Sequence, residues 1–310
     1  MQSINHVTVI GMGALGLLYG DFFLEKLGAG SVTFLADPKR AEKYNGQEMF
    51  CNGKSRRFSV VTPEELSASR GRAELLMFAV KGTGLLEAVE LSRPIVGEDT
   101  VILSVLNGIT SEEIIEENLK KGTVIPCVAQ GMDATKEGSR LSFSSMGELR
   151  IGISPDEEAK RPQLEQVSAF FTQSGFPFAV ESDIRHRMWS KWMLNVGVNQ
   201  VLMVEEGVYR DVQHPGPSRE RMKAAMRETM TVAQMEGIPL TEADLEDYLA
   251  LVDSLAPDNM PSMRQDGLAR RPSEVELFAG TVLRKAERYG LDVPVNRELY
   301  RAIKEREAQY

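Results

Sequence analysis

The sequence predicts an α/β unit followed by an all-α unit, and three observations carry that prediction. Short, nearly continuous apolar runs alternate with helical patterns along the first half, as expected of parallel strands covered on both faces. The first run, Val7 to Ile10, breaks into Gly11-Met12-Gly13-Ala14-Leu15-Gly16 and resumes at once with helical spacing. From Asp183 onward the alternation stops and the pattern reads as helices alone. A chain of 310 residues suggests two domains. The boundary is expected near Ser182, giving 1–182 and 183–310.

The glycine-rich turn defines the first unit. Gly11 permits a tight turn, Gly13 lets a pyrophosphate approach the backbone, and Gly16 allows the following helix to close on the strand. That helix, starting at Ala14, offers N–H groups and a partial positive charge to a phosphate. Such turns are common, so the assignment depends on context. A helical pattern of Leu17, Leu18, Phe22, Leu24 and Leu27 follows, Gly28 and Gly30 end it, and a second strand runs from Ser31 to Ala36. Asp37 closes that strand about 20 residues beyond the third glycine, where a carboxylate can bond a ribose 2′-hydroxyl. The whole is the fingerprint of a Rossmann-type dinucleotide-binding domain, with Met12, Ala14 and Leu15 in the cofactor loop. Lys39 and Arg40 stand where a 2′-phosphate would lie, although two charges at a helix start are equally at home in water.

Next, Asn52-Gly53 reads as a hairpin turn between short strands. The run Ala73 to Val80 ends in Lys81, and the run Thr100 to Leu106 ends in Asn107-Gly108. Thr110 to Glu113 then reads as a capping box opening a helix. Ligands of open α/β sheets bind outside the carboxyl ends of strands, which puts Lys81 and Asn107 where substrate and nicotinamide should meet. Thr123 to Ala129, Arg140 to Ser145 and Glu148 to Ile153 read as three further strands. The short turn between the last two predicts that the sheet ends in antiparallel pairing. A polar helix near Pro162 to Ser174 and a strand near Phe176 to Val180 complete the unit.

Composition narrows the function. Lys and Arg number 36 against 45 Asp and Glu, a net charge of −9 with no basic run, which argues against a nucleic-acid surface. Cys51 and Cys127 are too few for a disulfide framework and read as plain thiols. His6, His186 and His214 lie in no ligand spacing, so no metal centre is expected. The first strand begins almost at Met1, leaving no room for a secretory leader, and no apolar stretch approaches a membrane span. A cytoplasmic location without membrane partners is expected.

In the second half, breaks are expected at His214 to Pro217, Gly237 to Pro239, Pro257 to Pro261, Arg271-Pro272 and Gly290. Met188 to Met203 is mostly apolar, yet Lys191, Asn195 and Asn199 recur at i, i+4 and i+8 and share one face. Such a stripe is either solvated or a buried polar set that needs partners. Asn259 and Ser262 fall in a break, and Glu274 is expected to open a helix running to Tyr289. By themselves these three read as caps and a dipole complement. A catalytic cleft between the halves is expected, and the apolar helical faces suffice either for a homodimer contact or for packing on one another.

Together these motifs resemble the ketopantoate reductase (2-dehydropantoate 2-reductase) family along essentially the whole chain. The likeness rests on the Gly11 to Gly16 loop, Val80-Lys81, Asn107-Gly108, Lys191 with Asn195 and Asn199, and Asn259, Ser262, Met263, Gln265 and Asp266 followed by Glu274. It implies NADPH-dependent reduction of 2-dehydropantoate, a small 2-oxo acid, to (R)-pantoate on the way to pantothenate and coenzyme A. It also implies that Lys191 is the general acid, that Asn195 and Asn199 bind substrate hydroxyls, and that Asn259 and Ser262 contact the substrate. Ser262 would bond the carboxylate, and Glu274 would support Lys191. The residue types suit the chemistry. Reduction of a ketone builds negative charge on oxygen, which a positioned ammonium stabilises and then protonates. An ordinary lysine pKa of about 10.4 keeps the donor loaded at neutral pH, and a carboxylate at Glu274 favours that form.

Three positions depart from the family pattern. Asp37 stands where members often carry an arginine, Gly84 where a glutamine is frequent, and Thr110 where a second glycine is frequent. NADP(H) follows from the resemblance, whereas Asp37 suits NAD(H). An NADH-linked reductase of another branched 2-oxo acid is the alternative. A non-enzymatic redox sensor is disfavoured, because it needs neither a proton donor nor a hydroxyl-binding set.

Overall fold

Val7, Thr8 and Val9 are completely buried and Ile10 nearly so, because a strand with a parallel neighbour on each side and helices on each face has no exposed side. In the computed structural model, which describes residues 3–310, this strand is β1 (Val7–Ile10). It is followed by α1 (Ala14–Leu27), β2 (Val32–Leu35), α2 (Pro38–Tyr44), β3 (Glu48–Cys51), β4 (Lys54–Arg57), β5 (Ser59–Val61), α3 (Pro63–Arg70) and β6 (Leu75–Phe78). Then come α4 (Leu85–Ser92), β7 (Val101–Ser104), α5 (Ser111–Leu119), β8 (Thr123–Val124), β9 (Cys127–Met132), β10 (Thr135–Glu137), β11 (Arg140–Ser142), β12 (Met146–Ile151), α6 (Arg161–Ser174) and β13 (Phe178–Val180). One compact unit ends at Ile184 and a second spans Arg185–Tyr310.

Among the described residues, the first unit holds a six-stranded parallel sheet in the order β5-β2-β1-β6-β7-β8. The two-residue period of a strand sorts its side chains. Val7, Val9, Leu75, Met77, Val101 and Leu103 join a core with Leu17, Phe23, Phe170 and Phe171. Ile10, Leu76, Phe78 and Ile102 join a second core with Leu66, Leu85, Val89 and Ile115. Helices therefore cover both faces. Each fully buried aliphatic or aromatic side chain contributes about 1.5–3 kcal/mol before the ordering cost.

The expected antiparallel end of this sheet does not form. The segment read as one strand from Thr123 to Ala129 is divided at Pro126, which cannot donate to a ladder. Val124 stays in the parallel sheet, and β9 joins a separate sheet of order β13-β12-β9. There β12 pairs antiparallel with β9 and parallel with β13. Strand β11 pairs with β10 and, in parallel, with β3 in a four-stranded sheet. Distant side chains hold the two neighbours apart. Asp133 accepts from the backbone N–H groups of Ser144 at 2.8 Å and Ser145 at 2.7 Å, and Asn52 bonds both backbone groups of Phe143 at 2.9 Å. The hairpin at Asn52-Gly53 forms as expected, both residues having positive φ.

The second unit is helical: α7 (Ile184–Val204), α8 (Arg210–Gln213), α9 (Pro217–Met235), α10 (Glu242–Ser254), α11 (Ser262–Leu268), α12 (Ala279–Tyr289) and α13 (Pro294–Glu307). All five expected breaks fall between these helices. Helix α7 is enclosed by the others. Its Trp192 donates through Nε1 to the Leu277 carbonyl at 2.8 Å, and Gln200 bonds the Ala279 N–H at 3.0 Å and Asn296 Oδ1 at 3.2 Å. A Cβ on Gly197 would stand 2.5 Å from Met226 Cγ on α9. Helix α12 starts at Ala279, not at Glu274 as expected, because Phe278 leaves helical geometry (φ −102°, ψ −100°). Glu274 lies in the preceding turn, its carbonyl accepting from Leu277 and Phe278. Among the described residues no helix is long and apolar enough to cross a membrane, and no group of three or more His, Cys, Asp or Glu could hold a metal.

Candidate active site

In the first unit the sequence-predicted cofactor residues gather at one sheet edge. Leu35, Ile10, Phe78 and Ser104 are in register across β2, β1, β6 and β7. Asp37, the Gly11 loop, Lys81 and Asn107 therefore leave the carboxyl ends of four neighbouring parallel strands. The chain order reverses at β1, flanked by β2 and β6, which is the switch point where such sheets bind ligands.

The glycines differ in what holds them. Gly11 has φ +105°, and a Cβ there would lie 2.5 Å from the Ala79 carbonyl oxygen; a Cβ on Gly16 would overlap the Gly11 carbonyl. Packing demands both. Gly13 is exposed, with ordinary φ of −75°, and its nearest would-be contact is 3.7 Å away, so nothing in the protein requires glycine there. Gly13 is also the N-cap of α1, and among the described residues no side chain caps that helix and no acid sits in its first turn. Open space, orphan N–H groups and the positive end of a 14-residue helix fit a dinucleotide pyrophosphate.

Asp37 is committed locally. Its carboxylate caps α2, accepting from the Arg40 N–H at 2.9 Å, and pairs with the Arg40 guanidinium at 3.2 Å. Arg40 also reaches Glu87 at 2.9 Å. Lys39 is exposed. The Arg40–Glu87 pair joins residues 47 apart, and no local pattern announces it.

Beyond β7, Asn107 is half-buried, and beyond β6, Lys81 is exposed before a short 3₁₀ turn at Gly82–Gly84. The capping box expected at Thr110 is absent: Thr110 is already helical in φ and ψ, and its side chain caps nothing. The acids behind it behave differently from a surface cap. Ser104 donates to Ser111 at 2.8 Å and Ser111 to the buried Glu112 at 2.8 Å. Burial pushes the Glu112 carboxyl up from 4.5 to about 7, against the Ser111 hydrogen bond and with help from Glu113 and Glu116. The folded state thus binds more protons between pH 4.5 and 7, and the stability Glu112 contributes in its neutral form is lost as pH rises through that window. Glu112→Gln is expected to leave stability near pH 4.5 almost unchanged and to raise it at pH 8 by about 1–3 kcal/mol. Denaturant midpoints at the two pH values read this; equal gains at both would remove ionisation as the cause.

The second unit assembles three of the remaining residues. Asn195 and Asn199 lie one turn apart on α7, and the Asn199 amide donates to Asn195 Oδ1 at 3.2 Å. Asn199 is 4 % exposed, and its own Oδ1 accepts from Ser262 Oγ at 3.4 Å and from the Met263 N–H at 3.2 Å. Here the stripe is buried at Asn199 and half-buried at Asn195, and through Asn199 it pins the start of α11 to α7. Lys191 is half-buried, one turn before Asn195. Trp192 beside it bonds Leu277, so the turn that carries Glu274 packs next to Lys191's own neighbour. Asn259 is exposed, and among the described residues its hydrogen bonds are backbone ones, to Ala256 and Tyr209.

A switch-point glycine loop in the first unit and a lysine–asparagine stripe in the helical second unit are together the features of a dinucleotide-linked oxidoreductase. Comparison with known proteins specifies which kind. The ketopantoate reductase PanE/ApbA family model matches residues 7–156 and its C-terminal counterpart residues 183–307, so the chain belongs to the ketopantoate reductase family. The 2-dehydropantoate 2-reductase of Shigella flexneri is 26 % identical over 308 residues, covering 98 % of this chain and 96 % of that one. The solved PanE/ApbA family ketopantoate reductase of Ralstonia eutropha JMP134 superposes with a TM-score of 0.82 at 23 % identity, over 98 % and 99 % of the two chains. A D-mandelate dehydrogenase solved in complex with NADH shares the fold equally well, with a TM-score of 0.82 at 19 % identity over the same shares.

Proposed function

We propose that this chain reduces 2-dehydropantoate to (R)-pantoate with NADPH or NADH, in the cytoplasm, supplying pantothenate and coenzyme A synthesis. The observation that carries this reading is the hydrogen-bonded Asn195–Asn199–Ser262 set, anchored on the buried Asn199 and beginning one helical turn from Lys191, in a member of this family. When bound, the nicotinamide supplies the hydride. Lys191 Nζ then gives its proton to the new alkoxide, Asn195 and Ser262 bind the substrate's polar groups, and Asn199 positions both of them. Glu274 favours the charged lysine, and Asn259 closes the substrate side. Lys81 and Asn107 hold the junction with the nicotinamide. The test is a time course of NADPH and NADH oxidation with 2-dehydropantoate and a panel of branched and aromatic 2-oxo acids. Turnover of 2-dehydropantoate at least about tenfold above every other acid supports the reading; selectivity for another acid overturns the substrate.

A second reading, an NADH-linked reductase of a different 2-oxo acid, is favoured by Arg40. Its guanidinium is already held by Asp37 and Glu87, so a 2′-phosphate would have to displace one of two carboxylates. The variant Asp37→Asn with Glu87→Gln is expected to raise the ratio of kcat/KM for NADPH over NADH by about tenfold or more. An unchanged ratio would take Arg40 out of cofactor selection. Sedimentation velocity reads the proposed homodimer directly.

A further inference from the structure

A cavity of about 540 Å³ opens in the second unit between the end of α7, helix α11 and helix α13. Its wall carries three arginines, Arg264, Arg270 and Arg306, against two acids, Glu206 and Glu305. Glu206 pairs with Arg306 and cancels that member, while Glu305 stands 3.9 Å from Arg301, outside the lining, which leaves Arg264 and Arg270 as the cations of the wall. Arg264 is the unusual member. It is 8 % exposed, its Nη2 reaches the Glu206 backbone carbonyl at 3.3 Å and the Glu206 carboxylate only at 4.0 Å, and its buried Nε has no hydrogen-bond partner. Arg270, exposed at the same wall, has no side-chain hydrogen bond or ion pair among the described residues, and a guanidinium open to a cavity is the group that takes a bidentate oxyanion. Leu268, 58 % exposed, and Tyr310 add apolar surface at the same wall.

We infer that this cavity is a binding site for a small amphipathic oxyanion, a carboxylate or phosphate ester with an apolar body, held by Arg264 and Arg270. The site shares helix α11 with Ser262 and Met263, which bond Asn199. Occupancy is therefore expected to change KM for the 2-oxo acid more than kcat; that second readout rests on the proposed function, whereas binding itself does not.

The test is calorimetric titration of the full chain with phenyl phosphate and, separately, benzoate, the two arms deciding between a phosphate and a carboxylate. Saturable one-site binding of one of them is expected, weakened about tenfold or more in Arg264→Gln and in Arg270→Gln. Arg270 is exposed, so its variant keeps the test valid even if Arg264→Gln fails to fold. Absence of binding by both probes up to ~10 mM, or equal affinity in wild type and Arg270→Gln, overturns the inference.

Discussion

Lys191→Ala is expected to lower kcat by about 10²–10⁴-fold while leaving dinucleotide affinity within about twofold. The size follows from the proton-donor role proposed for Lys191. Without it, the alkoxide must take its proton from water and loses a fixed positive charge as it forms. The specificity of the loss follows from the fold: Lys191 is on α7 of the helical unit, whereas the phosphate-binding features belong to the glycine loop of the first unit. Stability should change little, because the residues that anchor this part of α7, Trp192, Met193 and Val196, are almost fully buried and Lys191 is not. Steady-state kinetics with fluorescence titration of cofactor separates the effects. Near-normal turnover in the purified variant would remove Lys191 from the mechanism.

Gly13→Ala and Gly16→Ala are expected to fail in different ways. A methyl on Gly16 overlaps the Gly11 carbonyl and pushes α1 off β1, which costs about 1–3 kcal/mol or more and takes cofactor binding with it. A methyl on Gly13 meets nothing nearer than 3.7 Å, so thermal stability should hold to within ~2 °C. It occupies the space above the helix start, however, and should weaken NADPH or NADH binding by about tenfold or more. Thermal unfolding alongside cofactor titration gives the comparison. Similar loss of stability in both variants would mean that Gly13, too, is kept for packing.

Much of this was readable from local chemistry. The glycine loop announces itself because its residues act within a strand, a turn and a helix start that are contiguous in sequence. The breaks between helices of the second half lie at prolines and glycines, where the backbone itself cannot continue. Lys191, Asn195 and Asn199 could be placed on one face from spacing alone, since a helix repeats regardless of what packs against it.

What spacing could not supply was partner choice. Arg140 to Ser142 and Met146 to Ile151 have the period of strands, and that period suits any free edge. Asp133 and Asn52, the latter 91 residues from Phe143, send them to separate sheets. Glu112 looks like a helix-opening acid and is instead a buried carboxyl on a serine chain, because the position of β7 behind it removes the water. Arg40 looks ready for a phosphate until Glu87 arrives from another helix. The strand–helix grammar, the cofactor loop and the polar stripe are consequences of neighbouring residues, and the sequence contains them outright. Sheet membership, the charge state of buried acids and the occupation of arginines depend on groups far apart in the chain, whose energies of desolvation and pairing exist only once folding has brought them together.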